Sequence, residues 1–336
     1  MLYLLLVFQA SALTCPKVKC STSELPQSTC VKFIADTYHI QPCEESKFCP
    51  FELDRTVECQ EKPEQPQEKS WVGGACEVDS SCEHSSCVGG VCKGKALNET
   101  CYLHEECDLG LGCIENVCQP LLKESQIGCT TDFDCEMNLG CNATYGNRRG
   151  TCVEYFSLYY GTYVSDCSSS SNSLCSSGYC SKVGEYSQVG ICKDAPWSNK
   201  RLPSKCESSD DCTGENSDSA VEGYCECGYD PEGSGFCAPL QGDYPGQQYL
   251  SVLKSIAYRT TNTLCNTARR FKYDCVEMIG DWLLEDYQLA EWTYLSYPKL
   301  QANDECVKRT INRWYYDLSG AEIIQYASVL LLIFNF

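Results

Sequence analysis

The residues able to carry covalent chemistry in this chain are its cysteines. There are 30 of them in 336 residues, against three histidines, His39, His84 and His104. Their most regular arrangement is a pair of four-cysteine units lying head to tail. Cys76, Cys82, Cys87 and Cys92 are spaced C-x5-C-x4-C-x4-C, and Cys101, Cys107, Cys113 and Cys118 are spaced C-x5-C-x5-C-x4-C. Grouped cysteines suit either zinc ligation or oxidation to disulfides. Zinc modules pair their ligands mostly as C-x2–4-C and need reduced thiolates. The wider intervals here, in a chain with cysteine at about 9 % of its residues, mark a disulfide scaffold. The even total predicts complete pairing with no free thiol. Disulfides on this scale form only in an oxidising compartment, which also disfavours a thiol nucleophile.

Other chemistry is sparse. The sequence holds no H-E-x-x-H, G-x-S-x-G or phosphate-loop pattern. Cys225-Glu226-Cys227 reads as two structural cysteines bridging elsewhere, and Glu285-Asp286 as a solvated helix face. No catalytic residue, metal ligand or cofactor is assigned, and no enzyme is expected. Acidic residues gather just before the second cysteine of a unit, as in Glu105-Glu106-Cys107, Asp132-Phe133-Asp134-Cys135 and Asp210-Asp211-Cys212. Carboxylates there close Asx-type turns on local backbone N–H groups. Calcium is the alternative, but its twelve-residue ligand loop is absent. The net charge of −20 excludes nucleic acid as a partner and suits a soluble, exposed protein.

The elements that must position the cysteines follow from the spacing. Residues 1–12 are an apolar run ending Ala10-Ser11-Ala12, the pattern of a secretory leader cut after Ala12. Residues 13–59 hold six cysteines at irregular intervals, a self-contained module. Residues 60–71 are polar and proline-bearing, a linker. Tandem units then occupy 72–119 (two), 120–155, 156–195 and 196–240, starting at Cys76, Cys101, Cys129, Cys167 and Cys206. Insertions collect before the last cysteine, as a hairpin loop would allow. Gly90, Gly150, Gly190 and Gly235 each stand two residues before that cysteine, with Asn116 in the remaining unit. Glycine and asparagine tolerate positive φ, so this position predicts a turn feeding a short strand. Such repeats make a semi-rigid stalk. Residues 154–163, EYFSLYYGTY, are the most apolar stretch among them, either a strand packing two units together or an exposed aromatic contact surface.

Residues 244–318 change character. Leu250, Leu253, Ile256 and Ala257 mark one helix, Val276, Ile279, Leu283 and Leu284 a second, and Cys306, Val307, Ile311, Trp314 and Tyr315 a third. Cys265, Cys275 and Cys306 are its staples. Three is odd and the fifth unit has five cysteines, so one of Cys225, Cys227 or Cys237 is expected to bridge to the helices. Residues 319–336 run from Ser319 and Gly320 into an apolar end, the form of a glycosylphosphatidylinositol attachment signal with those two residues as candidate sites. An amphipathic last helix is the alternative. Asn98 and Asn142 head glycosylation sequons.

The units at Cys76–Cys92 and Cys101–Cys118 resemble the Dickkopf N-terminal cysteine-rich domain. The layout as a whole, with CNTARRFKYDC and DECVKRTINRWYYD in its helical part, resembles cysteine-rich surface proteins of ciliates. The second, colipase-type domain through which Dickkopf proteins chiefly act has no copy here, so Wnt antagonism is not implied. The reading is a small disulfide-rich fold of tandem cysteine-rich repeats with short β-hairpins and coil, plus a small C-terminal α-helical module. It implies an extracellular or cell-surface protein that meets a protein or glycan ligand, with the membrane reached through a lipid anchor. A secreted soluble binder or inhibitor is the alternative.

Overall fold

The computed structural model describes residues 13–20, 29–44, 47–48, 59–61, 69–143, 149–167, 172–184, 187–259, 265–301 and 307. The leader, Cys49, Cys306, most of the linker and the apolar tail with Ser319 and Gly320 lie outside these residues. The described chain is a small disulfide-rich fold: short hairpins, then α1 (Tyr244–Arg259), α2 (Tyr273–Ile279) and α3 (Asp281–Leu295). Thirteen disulfides join described residues, and none of the described cysteines is free. No described helix is long and apolar enough to cross a membrane.

All five units share one construction. With Cys227 of the fifth unit set aside, the third and fourth cysteines face each other across an antiparallel hairpin: Cys87 and Cys92, Cys113 and Cys118, Cys141 and Cys152, Cys180 and Cys192, Cys225 and Cys237. The first cysteine bonds the third and the second bonds the fourth, so two bridges run side by side from the preceding loop to the hairpin. Their Cα–Cα distances of 5.4–6.0 Å lie in the ordinary range for disulfides. In the chain-entropy account each such bridge contributes about 3 kcal/mol, which offsets the scarcity of aliphatic core. Several small cores consist largely of cystine, as at Cys101, Cys107 and Cys118.

The residue two before the last cysteine has two roles, where the spacing predicted one. In the first two units it sits in a two-residue hairpin turn, Gly89-Gly90 at φ +64° and +83° and Glu115-Asn116 at φ +53° and +63°. Positive φ at both central residues is the demand of a type I′ turn. In the next three units the glycine lies within the strand, outside the left-handed region, and close packing explains it. A Cβ on Gly150 would come within 2.6 Å of Cys141 Sγ, on Gly190 within 2.5 Å of Cys167 Cβ, and on Gly235 within 2.8 Å of Cys225 Sγ. The longer hairpins no longer turn there, but their bridges still need the space.

The units do not form a stalk. Each begins before its first cysteine: the first opens at Ser70, whose N–H donates to Ser81 O and whose carbonyl accepts from Glu83, so the end of the 60–71 segment belongs to the repeat. Downstream, the repeats pack onto the helices. Ala257 of α1 joins the core of the fourth unit beside Val164, Cys175 and Cys192. The helices have their own core of Ile256, Val276, Leu283 and Tyr287. The apolar run expected as one helix over 276–284 is broken by Gly280 at φ +159°, which separates α2 from α3. Of the third expected helix only Val307 is described, and it is fully buried.

The N-terminal module is not self-contained. Its central strand Thr37–Pro42 pairs in parallel with Lys17–Cys20 and antiparallel with Thr29–Ile34. Alternation places Val18, Tyr38 and Ile40 on one face, packed against Tyr229, Val307, Trp292 and Leu300. Val18 N–H donates to Asp230 O at 2.9 Å. That alignment brings Cys15 within 5.2 Å (Cα–Cα) of Cys227, and the two form a disulfide 212 residues apart. The expected bridge from the fifth unit to the helices is therefore replaced: Cys225 bonds Cys206, Cys237 bonds Cys212, and Cys265 bonds Cys275 within the helical module.

Gly190→Ala should destabilise by about 1–3 kcal/mol, the cost of overpacking against a rigid neighbour. Gly184→Ala, with nothing within 4 Å of the added methyl, should be neutral. Thermal unfolding of the two oxidised variants checks the contrast.

Candidate functional site

The densest convergence of polar side chains lies where the segment between Cys265 and Cys275 enters the second and third units. The short 3-10 turn Thr267–Arg269 is capped by Asn266, whose Oδ1 accepts from Ala268 N–H at 3.0 Å. Asn266 Nδ2 donates to His104 O at 2.8 Å and Cys107 O at 3.2 Å. Thr267 Oγ1 donates to Phe133 O at 2.8 Å. Arg269 lays its guanidinium 3.9 Å from the ring centroid of Trp71, a cation–π contact to the first unit.

Arg270 is the centre, with only 3 % of its surface exposed. Its Nε donates to Thr267 O at 2.9 Å. Nη2 donates to Asp132 O at 2.9 Å and Cys135 O at 3.0 Å. Nη1 donates to Leu139 O and, at 3.0 Å, to the Tyr155 hydroxyl. All five guanidinium donors are thus used. Tyr155 OH passes its own proton toward Asp132 Oδ2 at 2.9 Å, which places a carboxylate one bond away from the buried cation. Burial pushes the Tyr155 hydroxyl far above its ordinary pKa; Asp132 adds to the rise and Arg270 opposes it. Gly140 makes the approach possible, since a Cβ there would stand 2.8 Å from Tyr155 Cε1.

His104 borders this cluster. Its Nδ1 accepts from Cys113 N–H at 3.2 Å, so the neutral ring carries its proton on Nε2, facing Asp134 Oδ1 at 3.5 Å. Burial lowers its pKa; the Asp134 and Glu105 carboxylates oppose this, and Arg270 acts with burial. The position recurs across units. Three residues before the second cysteine, Asp79 Oδ1, His104 Nδ1, Asp132 Oδ1 and Ser209 Oγ each accept the N–H of the third cysteine. The acid directly before the second cysteine caps the turn instead. Asp134 Oδ2 accepts from Thr130 and Thr131 N–H, Asp211 Oδ2 from Glu207 and Ser208 N–H, and Glu106 Oε2 from Tyr102 N–H. These are the Asx-type closures read from the sequence, and they engage oxygens that calcium would require.

A tyrosine, an arginine, two aspartates and a histidine are the parts of an acid–base site. Here their donors and acceptors are spent on backbone groups and on one another, and the cluster's centre is closed to solvent. It is a joint that clamps the helical segment to the second and third units. The sequence signal was present in CNTARRFKYDC: an Arg-Arg pair between two cysteines in an acidic chain. Nothing in local spacing pointed to its acceptors.

Sulfurs of Cys76, Cys82 and Cys87, and of Cys101, Cys107 and Cys113, lie within 4.8 Å of one another, but all are in disulfides and offer no thiolate to a metal. Asn98 is exposed, at φ +71° in a turn whose N–H donates to Cys118 O. Asn142 is half-buried and bridges two units, its Nδ2 donating to Tyr163 O and its Oδ1 accepting from Ser165 N–H, both at 3.1 Å. The stretch 154–163 divides between its two readings. Tyr155 is in the joint, while Tyr159, Tyr160 and Tyr163 stand out on one turn at 79 %, 51 % and 60 % exposure. That turn is closed by Thr162 N–H to Tyr159 O, and Tyr160 OH is anchored on Asp218 at 2.6 Å in the fifth unit, with Lys193 alongside.

Arg270→Met should cost about 3–5 kcal/mol, because four carbonyls and Tyr155 lose a charged donor. Arg270→Lys should recover little of it, since an ammonium cannot span the fork. Hydrogen exchange should show lost protection over 265–279 and 132–141 in both variants. For His104, the folded state favours the neutral ring. Its contribution is complete above the ordinary value of 6.5 and is lost as pH falls from there through the lower folded-state pKa. His104→Asn keeps an acceptor without titrating, so its unfolding midpoint should fall less than that of the native chain as pH is lowered below 6.5.

Comparison with protein-family models, with curated proteins and with solved structures finds no match to this chain.

Proposed function

We propose that the chain is a non-enzymatic extracellular cysteine-rich protein, held at the cell surface by a glycosylphosphatidylinositol anchor and serving in adhesion or ligand contact. The density of disulfides makes an extracellular or secretory setting the coarse conclusion; the anchor and the binding role go further. The binding role rests on the tyrosine turn. Tyr159, Tyr160 and Tyr163 are presented on a turn made rigid by the disulfides of its own unit and by the Tyr160–Asp218 contact. Tyrosine offers a large amphipathic contact at low entropic cost and suits both protein and glycan partners. The one dense cluster of converging polar groups described is consumed within the fold, which supports binding over catalysis.

Phosphatidylinositol-specific phospholipase should release the protein from intact cells. Recovery from the medium without enzyme would instead identify a secreted soluble binder of the Dickkopf-like type. Mass spectrometry of the released chain should find glycan on Asn98 and none on Asn142, whose amide is committed to Tyr163 and Ser165. Tyr159→Ser combined with Tyr163→Ser should leave stability within about 0.5 kcal/mol, as for surface changes generally. The same variant should lose attachment of the soluble ectodomain to producing cells; unchanged attachment would move the contact face elsewhere.

A further inference from the structure

Basic residues are scarce in this acidic chain, and two dibasic pairs lie wholly within the described residues. Arg269-Arg270 is locked, one guanidinium on Trp71 and the other in the buried joint. Lys200-Arg201 is the opposite case. Both residues are exposed, on the connector between the strands Trp197–Ser198 and Lys205–Cys206, ahead of the fifth unit's first cysteine. Arg201 makes no hydrogen bond or ion pair with any described residue, and Lys200 is held only by Nζ donating to Asp211 O at 2.8 Å. The backbone is equally free. Asn199 N–H donates to Thr213 O, and the next main-chain bond downstream is Cys237 N–H to Ser204 O. Between them Lys200, Arg201 and Leu202 belong to no ladder, so drawing this segment into an extended conformation breaks no backbone hydrogen bond. An exposed connector without ladder bonds is where proteolytic nicking concentrates.

The rest of the fold determines what a cut here would do. The connector divides the chain into the part ending at Arg201 and the part beginning at Leu202. Cys15 lies in the first and Cys227 in the second, and they are joined. Val18, Tyr38 and Ile40 pack on Tyr229 and Val307 across the same division, and the Arg270 joint crosses it as well. The two pieces therefore remain one covalent and packed particle.

We propose that Lys200-Arg201 is a maturation site for a dibasic-specific serine endoprotease met during secretion, and that the mature protein is a two-chain molecule held by Cys15–Cys227. Water adds across the Arg201–Leu202 peptide bond by way of the protease's acyl-enzyme, leaving a carboxylate on Arg201 and an ammonium on Leu202. No redox step is needed. After the cut Leu202 stays with the fifth unit through side-chain packing on Cys206, Cys212 and Cys237, while the Arg201 end is the one able to move away.

The test is secretion of the full chain from cells that carry such a protease. The expected product migrates as one species without reductant and as two with it, the second piece beginning Leu202-Pro203-Ser204-Lys205. Lys200→Ala with Arg201→Ala should be secreted with the same non-reduced mobility but as a single chain on reduction. A native product that stays one chain after reduction, or a new terminus at Arg148-Arg149 or Lys308-Arg309 instead, overturns the proposal. Purified protease added to the uncut chain gives an independent reading. Cleavage after Arg201 supports the proposal. Resistance coupled with stoichiometric loss of the protease's activity on a small substrate overturns it, since the connector would then be an inhibitor's reactive loop.

Discussion

A buried guanidinium fastens the helical segment to the third unit. Each cysteine unit has two bridges and a hairpin over a small interior built largely on cystine. Arg270 adds a polar joint to the apolar contacts that Ala257 and Phe271 make with Tyr155 and the fourth unit. A cation taken out of water is costly unless every donor finds an acceptor, and the third unit meets that condition with three backbone carbonyls and the Tyr155 hydroxyl. Those carbonyls are correctly placed only when the unit is folded with its disulfides in order. The joint therefore couples covalent correctness in the repeat to docking of the helices. A planar fork is required for this, which is why the position is arginine rather than lysine.

Much of the local architecture was legible in the cysteine spacing. Intervals that cluster, drift before the last cysteine and carry Gly or Asn near it describe a hairpin, and five hairpins are found. The bridges within units span 10–25 residues, a range over which spacing along the chain reports proximity in space. Cys15–Cys227 spans 212, where it reports nothing. An odd cysteine count in the fifth unit did reveal that one thiol must leave it; the destination depended on a parallel strand alignment that no local pattern encodes. The same limit explains the stalk expected from tandem repeats. Linear repetition says nothing about a helical hub contributed by residues more than a hundred positions away.

The acidic motif shows a different kind of partial legibility. The residue three before the second cysteine is Asp, His, Asp or Ser in four units, and no residue-type pattern unites them. What is shared is a hydrogen-bond acceptor for the third cysteine's N–H, a group that would otherwise be left without a partner beside two disulfides. Carboxylate, imidazole and hydroxyl all satisfy it. The repeat is kept at the level of bonding, and identity drifts wherever chemistry permits. His104 is the one case in which that drift introduced a group whose ordinary pKa lies near neutrality.

The bridge between Cys15 and Cys227 also imposes an order on biosynthesis. The first four units can close their bridges as each hairpin emerges, since both partners of every pair are then present. Cys15 is made before all of them, yet its partner arrives after the last cysteine of the fourth unit. Through that interval its thiol coexists with many newly formed disulfides able to exchange with it. Exchange is blocked where both sulfurs of an early bridge are buried, as in Cys107–Cys118 and Cys135–Cys152. In this protein, burial of cystine serves fidelity of pairing as well as stability.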